Sequence, residues 1–215
     1  MTQWIGGLGI VFFTIAVLPI FGVGGIQVFA AEASGPTHDK VHPRIGITAK
    51  WIWGIYAGLT GTLIILLMFG GMNIFDSICH AFATTSTGGF STKQASIEYY
   101  HSPYIEYVIS IFMFISGINF TLLLLFVNGK LKKFVHDAEL KWYFWSVTGF
   151  TIVIAAILYY NSSMGVEEAF RKSLFQVASL HTSTGFATAD YMTWPAITWG
   201  MLTVIMIMGA CAGST

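Results

Sequence analysis

Five long apolar stretches constrain this chain more than any other feature. They cover residues 5–29, 51–72, 104–127, 142–160 and 194–212. A helix needs about 20 mostly apolar residues to cross a bilayer, and each stretch is close to or above that length. None alternates apolar with polar residues, and all are too long for strands. In hydrocarbon every backbone N–H and C=O needs an internal partner, so helices are the predicted form. Composition agrees. Hydrophobic residues make up 55% of the chain and charged residues 9%, where soluble domains carry about a quarter charged. Ten basic and ten acidic residues balance, so charge gives no reason to expect nucleic acid or a polyanion. The first apolar stretch lacks a basic leader and outruns a signal peptide, so it is expected to belong to the fold.

The connections are of two kinds. Segments 30–50 and 128–141 hold Lys40, Arg44, Lys50, Lys130, Lys132, Lys133 and Lys141, seven of the ten basic residues. Segments 73–103 and 161–193 hold Lys93, Arg171 and Lys172 with a larger number of acids. Basic loops stay on the cytoplasmic side, so the first pair is expected inside and the second outside. That alternation is the one five consecutive spans require.

The two outer connections are not plain loops. Each opens with a short amphipathic stretch, 74–83 and 166–180, too short to cross a bilayer and read as a re-entrant half-helix. Each then enters a hydroxyl- and glycine-rich run, TTSTGGFST at 84–92 and HTSTGFAT at 181–188. Ser86-Thr87-Gly88 matches Ser183-Thr184-Gly185 at an offset of 97, and Phe90 matches Phe186 if one glycine is dropped. The expected architecture is all-α and integral to the membrane. It consists of parallel repeats of helix, pore half-helix, filter loop and helix, in the manner of K⁺-channel units. Residues 1–30 form the second helix of a truncated first unit and 31–50 a cytoplasmic loop. Residues 51–127 form a complete pore unit and 128–141 a second cytoplasmic loop. Residues 142–215 form a further unit that stops inside a gating loop.

Such loops suit the handling of a bare monovalent cation. A dehydrating ion needs oxygens in place of its water shell, and backbone carbonyls in a narrow filter supply them. Extended backbone is tolerated at membrane depth only where it lines a wet cavity inside protein. Glycine opens backbone angles closed to other residues. A half-helix with its C-terminus aimed at the pore presents a partial negative charge to the ion. One Ser/Thr/Gly run alone is an ordinary extracellular turn; two behind matching half-helices are a pattern.

At these residues the chain resembles the Trk-type potassium uptake family, and most closely its TrkH/TrkG channel subunits. TQWIGGLGI at 2–10 and LPIFGVGGIQVFAAEASGP at 18–36 are similar to the second helix of that family's first unit and the turn after it. HPRIGITAKWIW at 42–53 resembles the start of its second unit. FATTSTGGFSTKQASIEYYHSPYIE at 82–106 and FQVASLHTSTGFATADYMTWP at 175–195 resemble its second and third filters. GACAGST at 209–215 is similar to the start of a glycine-rich loop below the filter that works as a gate. The resemblance implies K⁺ transport across the bacterial inner membrane by a multi-pass subunit with four units around one pathway. It implies a homodimer, a cytoplasmic nucleotide-binding regulatory subunit, and K⁺ as cargo with no organic cofactor. Carried over, Thr85, Ser86, Thr87 and Gly88 form one filter, and Thr182, Ser183, Thr184 and Gly185 the next. Gly209, Gly213, Ser214 and Thr215 belong to the gating loop. A first filter and a fourth unit are missing from this pattern, so the chain is expected to be a fragment that does not conduct alone. Extra hydroxyls in both filters leave a Na⁺-permeable relative of the same family open.

Other features carry less. Cys79 and Cys211 are isolated and read as small apolar residues. The histidines, at 38, 42, 80, 101, 136 and 181, show no ligand spacing, so no metal site is expected beyond K⁺ at the filter. His181 precedes the third filter, where it is either an anchor or a plain buried histidine; the same holds for His80. Asp76, Glu98, Glu106, Glu167, Glu168 and Asp190 either draw cations to the mouth or are solvated loop charges. Asn119, inside an apolar stretch, is read as facing the bundle or pore, or as an interhelical hydrogen bond. Trp4, Trp51, Trp53, Trp142, Trp145, Trp194 and Trp199 lie near span ends, as an interfacial belt would. A secondary cation transporter with broken helices would show inverted repeats and intramembrane charges. An enzyme would need a nucleophile, a base and an orienting partner, and no such set can be assembled.

Overall fold

The computed structural model describes residues 2–9, 45–162, 164–211 and 214. Most of the first expected span and of the 30–50 segment therefore lies outside the described residues, as do Gly213 and Thr215. The described residues are helical, with no strand among them. After a π-helical turn at Ile5–Gly9 come α1 (Ile45–Phe69), α2 (Ile74–Thr85), α3 (Pro103–Ser116), α4 (Phe120–Val127), α5 (Leu131–His136), α6 (Ala138–Asn161), α7 (Val166–His181) and α8 (Ala196–Met208).

Among the described residues two helices are long and apolar enough to span a membrane, Lys50–Phe69 within α1 and all of α6. Both begin before the apolar runs that predicted them. The half-helices α2 and α7 sit where the amphipathic stretches put them. Asn73 starts α2 by accepting a hydrogen bond from the Asp76 N–H at 2.7 Å. Glu167 and Glu168 lie in the first turn of α7, where the helix dipole favours negative charge. Asp137 caps α6 by accepting from the Leu140 N–H at 3.0 Å.

The third apolar stretch is not one helix. It divides into α3 and α4, which meet at 101°. Gly117 ends α3, and the Asn119 side chain accepts from the Thr121 N–H at 2.8 Å to start α4. Asn119 is therefore an N-cap inside an apolar run, a role its hydropathy surroundings concealed. The last apolar stretch keeps 13 helical residues, ending where Gly209 takes φ +66°. Of the five expected spans, two stand as long helices, one is bent, one is short, and one falls largely outside the described residues.

One apolar core joins α1, α2, α3 and α7 through Leu63, Leu67, Ala81, Ile109, Met113 and Phe175. A second joins α1, α4, α6 and α8 around Tyr56, Phe120, Tyr143 and Ile205. Trp51, Trp142 and Trp145 are exposed, as an interfacial belt requires. Trp194 is buried, and Trp4 stacks on Phe82 while its indole N–H donates to Thr60 at 3.0 Å. Those two tryptophans belong to the packing.

Candidate functional site

The two hydroxyl-rich loops leave their half-helices in the same way. The N–H groups of Ser86, Thr87 and Gly88 donate to the carbonyls of Phe82, Thr84 and Ala83. Those of Thr182, Ser183 and Thr184 donate to Ala178, Leu180 and Ser179. The Ser86 hydroxyl donates to Phe82 O at 2.7 Å and the Thr182 hydroxyl to Ala178 O at 2.8 Å. Positive φ follows at Thr87 (47°) and Gly89 (63°), and at Ser183 (55°) and Gly185 (85°). Every pair is separated by 96 residues, whereas the sequence match used 97. The structural register sets Ser86-Thr87-Gly88-Gly89-Phe90 against Thr182-Ser183-Thr184-Gly185-Phe186, with no residue dropped. The obvious Ser-Thr-Gly identity misled because the conformationally required glycine is Gly89. Gly88 has the register position of Thr184.

In this register the candidate residues take different places along the two loops. Thr85 is the last residue of α2; its hydroxyl donates to Ala81 O at 2.9 Å and lies 3.2 Å from Thr60. Its counterpart is His181, the last residue of α7. Sequence reasoning missed Gly89; the pair of Phe residues was the signal that could have found it. Thr87 and Ser183 are non-glycine residues held left-handed, a strained state concentrated at functional loops.

The loops touch each other. A Cβ on Gly89 would stand 1.8 Å from the Thr184 carbonyl oxygen. Behind them, Glu98 N–H donates to Ala187 O and Ala187 N–H to the Ser96 hydroxyl, both at 3.3 Å. Thr182 and Thr184 share a hydroxyl hydrogen bond of 2.7 Å, and the Ser179 hydroxyl donates to Phe186 O at 2.7 Å. Gln3 donates to Gly88 O at 3.4 Å. Of the expected gating residues, Gly209 closes α8 and Ser214 is described. Gly209 lines a cavity of about 240 Å³ with Tyr143, Ser146 and His181.

Buried charge holds the half-helices. Asp76 accepts from the Thr92 hydroxyl at 2.6 Å and pairs with Lys93 at 3.3 Å, which ties the segment after the first loop back to α2. Burial alone would raise the Asp76 pKa, but the Thr92 and Lys93 contacts outweigh it and hold it below the usual carboxylate range. His80 adds a second tie, 2.9 Å from the Ser91 hydroxyl. On α7, Arg171 pairs with the buried Glu106 of α3 and with Glu167 at 2.8 Å. The Arg171 hydrogen bond holds Glu167 below its ordinary range. Asp76 and Glu106 are thus structural, and neither is a free charge at a mouth. His181 lies 2.8 Å from the Ser146 hydroxyl and edge-on to Tyr143.

A family model described as TrkH, cation transport protein, matches residues 1–215. The chain belongs to the TrkH family. It is 42% identical to the Trk system potassium uptake protein TrkH of Escherichia coli K12, covering 100% of this chain and 45% of that protein. It is 36% identical to the TrkG protein of the same organism, over 99% of this chain and 44% of that one. The crystal structure of the potassium transporter TrkH from Vibrio parahaemolyticus superimposes with a TM-score of 0.79 at 34% identity, covering 99% of this chain and 43% of that one. The TrkH-family chain thus spans a little under half the length of the curated relatives it matches. Its helical, membrane-embedded architecture is that of the family.

Proposed function

We propose that this chain forms part of the ion pathway of a Trk-type potassium uptake subunit in the bacterial inner membrane. Residues 86–89 and 182–185 are two of the loops that line it. The observation that carries this reading is the repeated helix end. Two half-helices are each followed by a hydroxyl-bearing residue, Ser86 or Thr182, turn through left-handed backbone at positions 96 apart, and bring their loops into contact. The same repeat supports parallel units, with 51–127 and 142–215 as successive copies.

Loops paired in this way offer main-chain and hydroxyl oxygens to a partly dehydrated monovalent cation. Two loops do not encircle an ion, so the 215 residues work as a portion of a larger ring and do not conduct by themselves. Phe90 is 74% exposed while its counterpart Phe186 is fully buried; a preceding unit is the natural cover for Phe90. The subunit acts as a transporter without enzymatic chemistry. A homodimer and a cytoplasmic nucleotide-binding regulator complete the assembly as extensions of the same reading.

The test is rubidium uptake by the full-length subunit in a strain that lacks its own K⁺ uptake. Gly185→Asp and Gly88→Asp should each abolish uptake at normal membrane abundance. Growth on low K⁺ with either variant would reject the loop assignment.

A further inference from the structure

Two joints in this fold are built from the same parts. Trp4 stacks on Tyr56 with ring centres 5.4 Å apart, and Phe114 stacks on Tyr143 at 4.7 Å. Each tyrosine hydroxyl donates to the carbonyl of its own stacking partner, Tyr56 to Trp4 at 3.0 Å and Tyr143 to Phe114 at 3.1 Å. Three residues after each aromatic ring stands a glycine. A Cβ on Gly7 would lie 3.0 Å from the Tyr56 hydroxyl and 3.2 Å from Ser86 Cβ. A Cβ on Gly117 would come within 2.3 Å of the Tyr143 hydroxyl and 2.8 Å of Thr182 Cγ2. Ser86 and Thr182 are the first residues of the two loops in the structural register. Each loop base is therefore pressed against a glycine at a helix irregularity, the π-helical turn at Ile5–Gly9 or the α3–α4 bend.

The second joint has one more connection. The Cys211 N–H donates to the Gly117 carbonyl at 3.1 Å. Gly117 thus touches the base of the 182–185 loop on one side and is bonded to the segment after α8 on the other. His181 adds to the contact, since it lines one cavity with Gly209, Ala210 and Cys211 while resting on Tyr143. Close-packed interiors transmit displacement because they have no slack to absorb it. Gly117 is packed so closely on Thr182 and the Tyr143 hydroxyl that an added Cβ would overlap both, so a displacement passed through the Cys211–Gly117 hydrogen bond reaches that contact directly.

We infer that Gly117 and Tyr143 are positioning residues for ion selectivity, coupling the backbone at 209–211 to the first residue of the 182–185 loop. This rests on reading that loop as ion-lining. Gly7 and Tyr56 hold Ser86 in the matching seat.

The experiment uses the full-length subunit in proteoliposomes and reads the K⁺/Na⁺ permeability ratio. Gly117→Ala should lower the ratio about fivefold or more, in the range of ordinary coupling effects. Adding Tyr143→Phe removes the hydroxyl that the new methyl meets first and keeps the ring stack on Phe114, so Gly117→Ala with Tyr143→Phe should recover a large part of the ratio. Tyr143→Phe alone, which preserves the stack and so the fold, should shift the ratio about twofold to tenfold, the worth of one hydrogen bond. An unchanged ratio in Tyr143→Phe overturns the inference, as does a Gly117→Ala defect that Tyr143→Phe does not relieve. If Gly117→Ala fails to reach the membrane, the Tyr143→Phe ratio decides alone. A wild-type subunit that conducts no K⁺ would sink the functional reading instead, so the two failures are distinguishable.

Discussion

Gly89 faces the Thr184 carbonyl so closely that a single added methyl group would overlap it at 1.8 Å. The clash is with backbone, which cannot rotate away, and Gly89 also needs φ +63°. Gly89→Ala should therefore spread the two loops and cut rubidium uptake at least tenfold. Gly88→Ala should be milder, because its Cβ would meet the far end of the Gln3 side chain, which can swing aside. Equal uptake by the two variants would contradict the 96-residue register.

The Arg171–Glu106 pair joins α7 to α3 with both side chains almost wholly buried. Arg171→Met should leave Glu106 as an uncompensated charge and destabilise the protein by about 3–5 kcal/mol. Removing both charges with Arg171→Met and Glu106→Leu should restore most of that loss. Thermal unfolding in detergent checks the cycle. A double variant as unstable as the single one would mean the pair contributes more than charge compensation.

Asp76 gives a pH dependence with a definite sign. Its folded pKa lies below the ordinary 3.8, so its contribution to stability is complete above 3.8 and is lost as pH falls through the lower folded value. Asp76→Asn should be less stable than wild type by a constant margin at neutral and mildly acidic pH. That margin should close only below 3.8. Melting curves of both proteins across pH measure it; convergence already at pH values well above 3.8 would show that Asp76 is not held ionised.

Lys132 lies in α5, in the basic connection assigned to the cytoplasmic side. Lys132→Ala should leave the K⁺/Na⁺ permeability ratio unchanged. A large change in the ratio would place that connection in the ion path and reverse the assigned topology.

Hydropathy and composition made the spanning helices, the half-helices and the two loops legible, because each depends on local chain properties. The amphipathic stretch at 74–83 marked the start of α2 at Ile74, and the Asn73 cap is what the structure adds there. The α3–α4 bend was hidden, since Gly117 and Asn119 change direction without interrupting the apolar run. The register between the two loops was off by one residue for a related reason. Identity of Ser, Thr and Gly letters says nothing about which glycine must be left-handed, and only the backbone settles that Gly89 pairs with Gly185. The buried roles of Asp76 and Glu106 depend on Lys93 and Arg171, partners supplied by tertiary packing. Sequence position alone could not separate such charges from solvated ones.

The half-helices differ in length, with 12 residues in α2 and 16 in α7. Since their loop ends are in register, the added turn extends the opposite end, by about 6 Å at the usual helical rise. That turn carries Glu167 and Glu168. In a pore with the proposed orientation the vestibule has an uneven rim, and a large cationic blocker arriving from outside would meet the taller wall of the 142–215 unit before reaching the other.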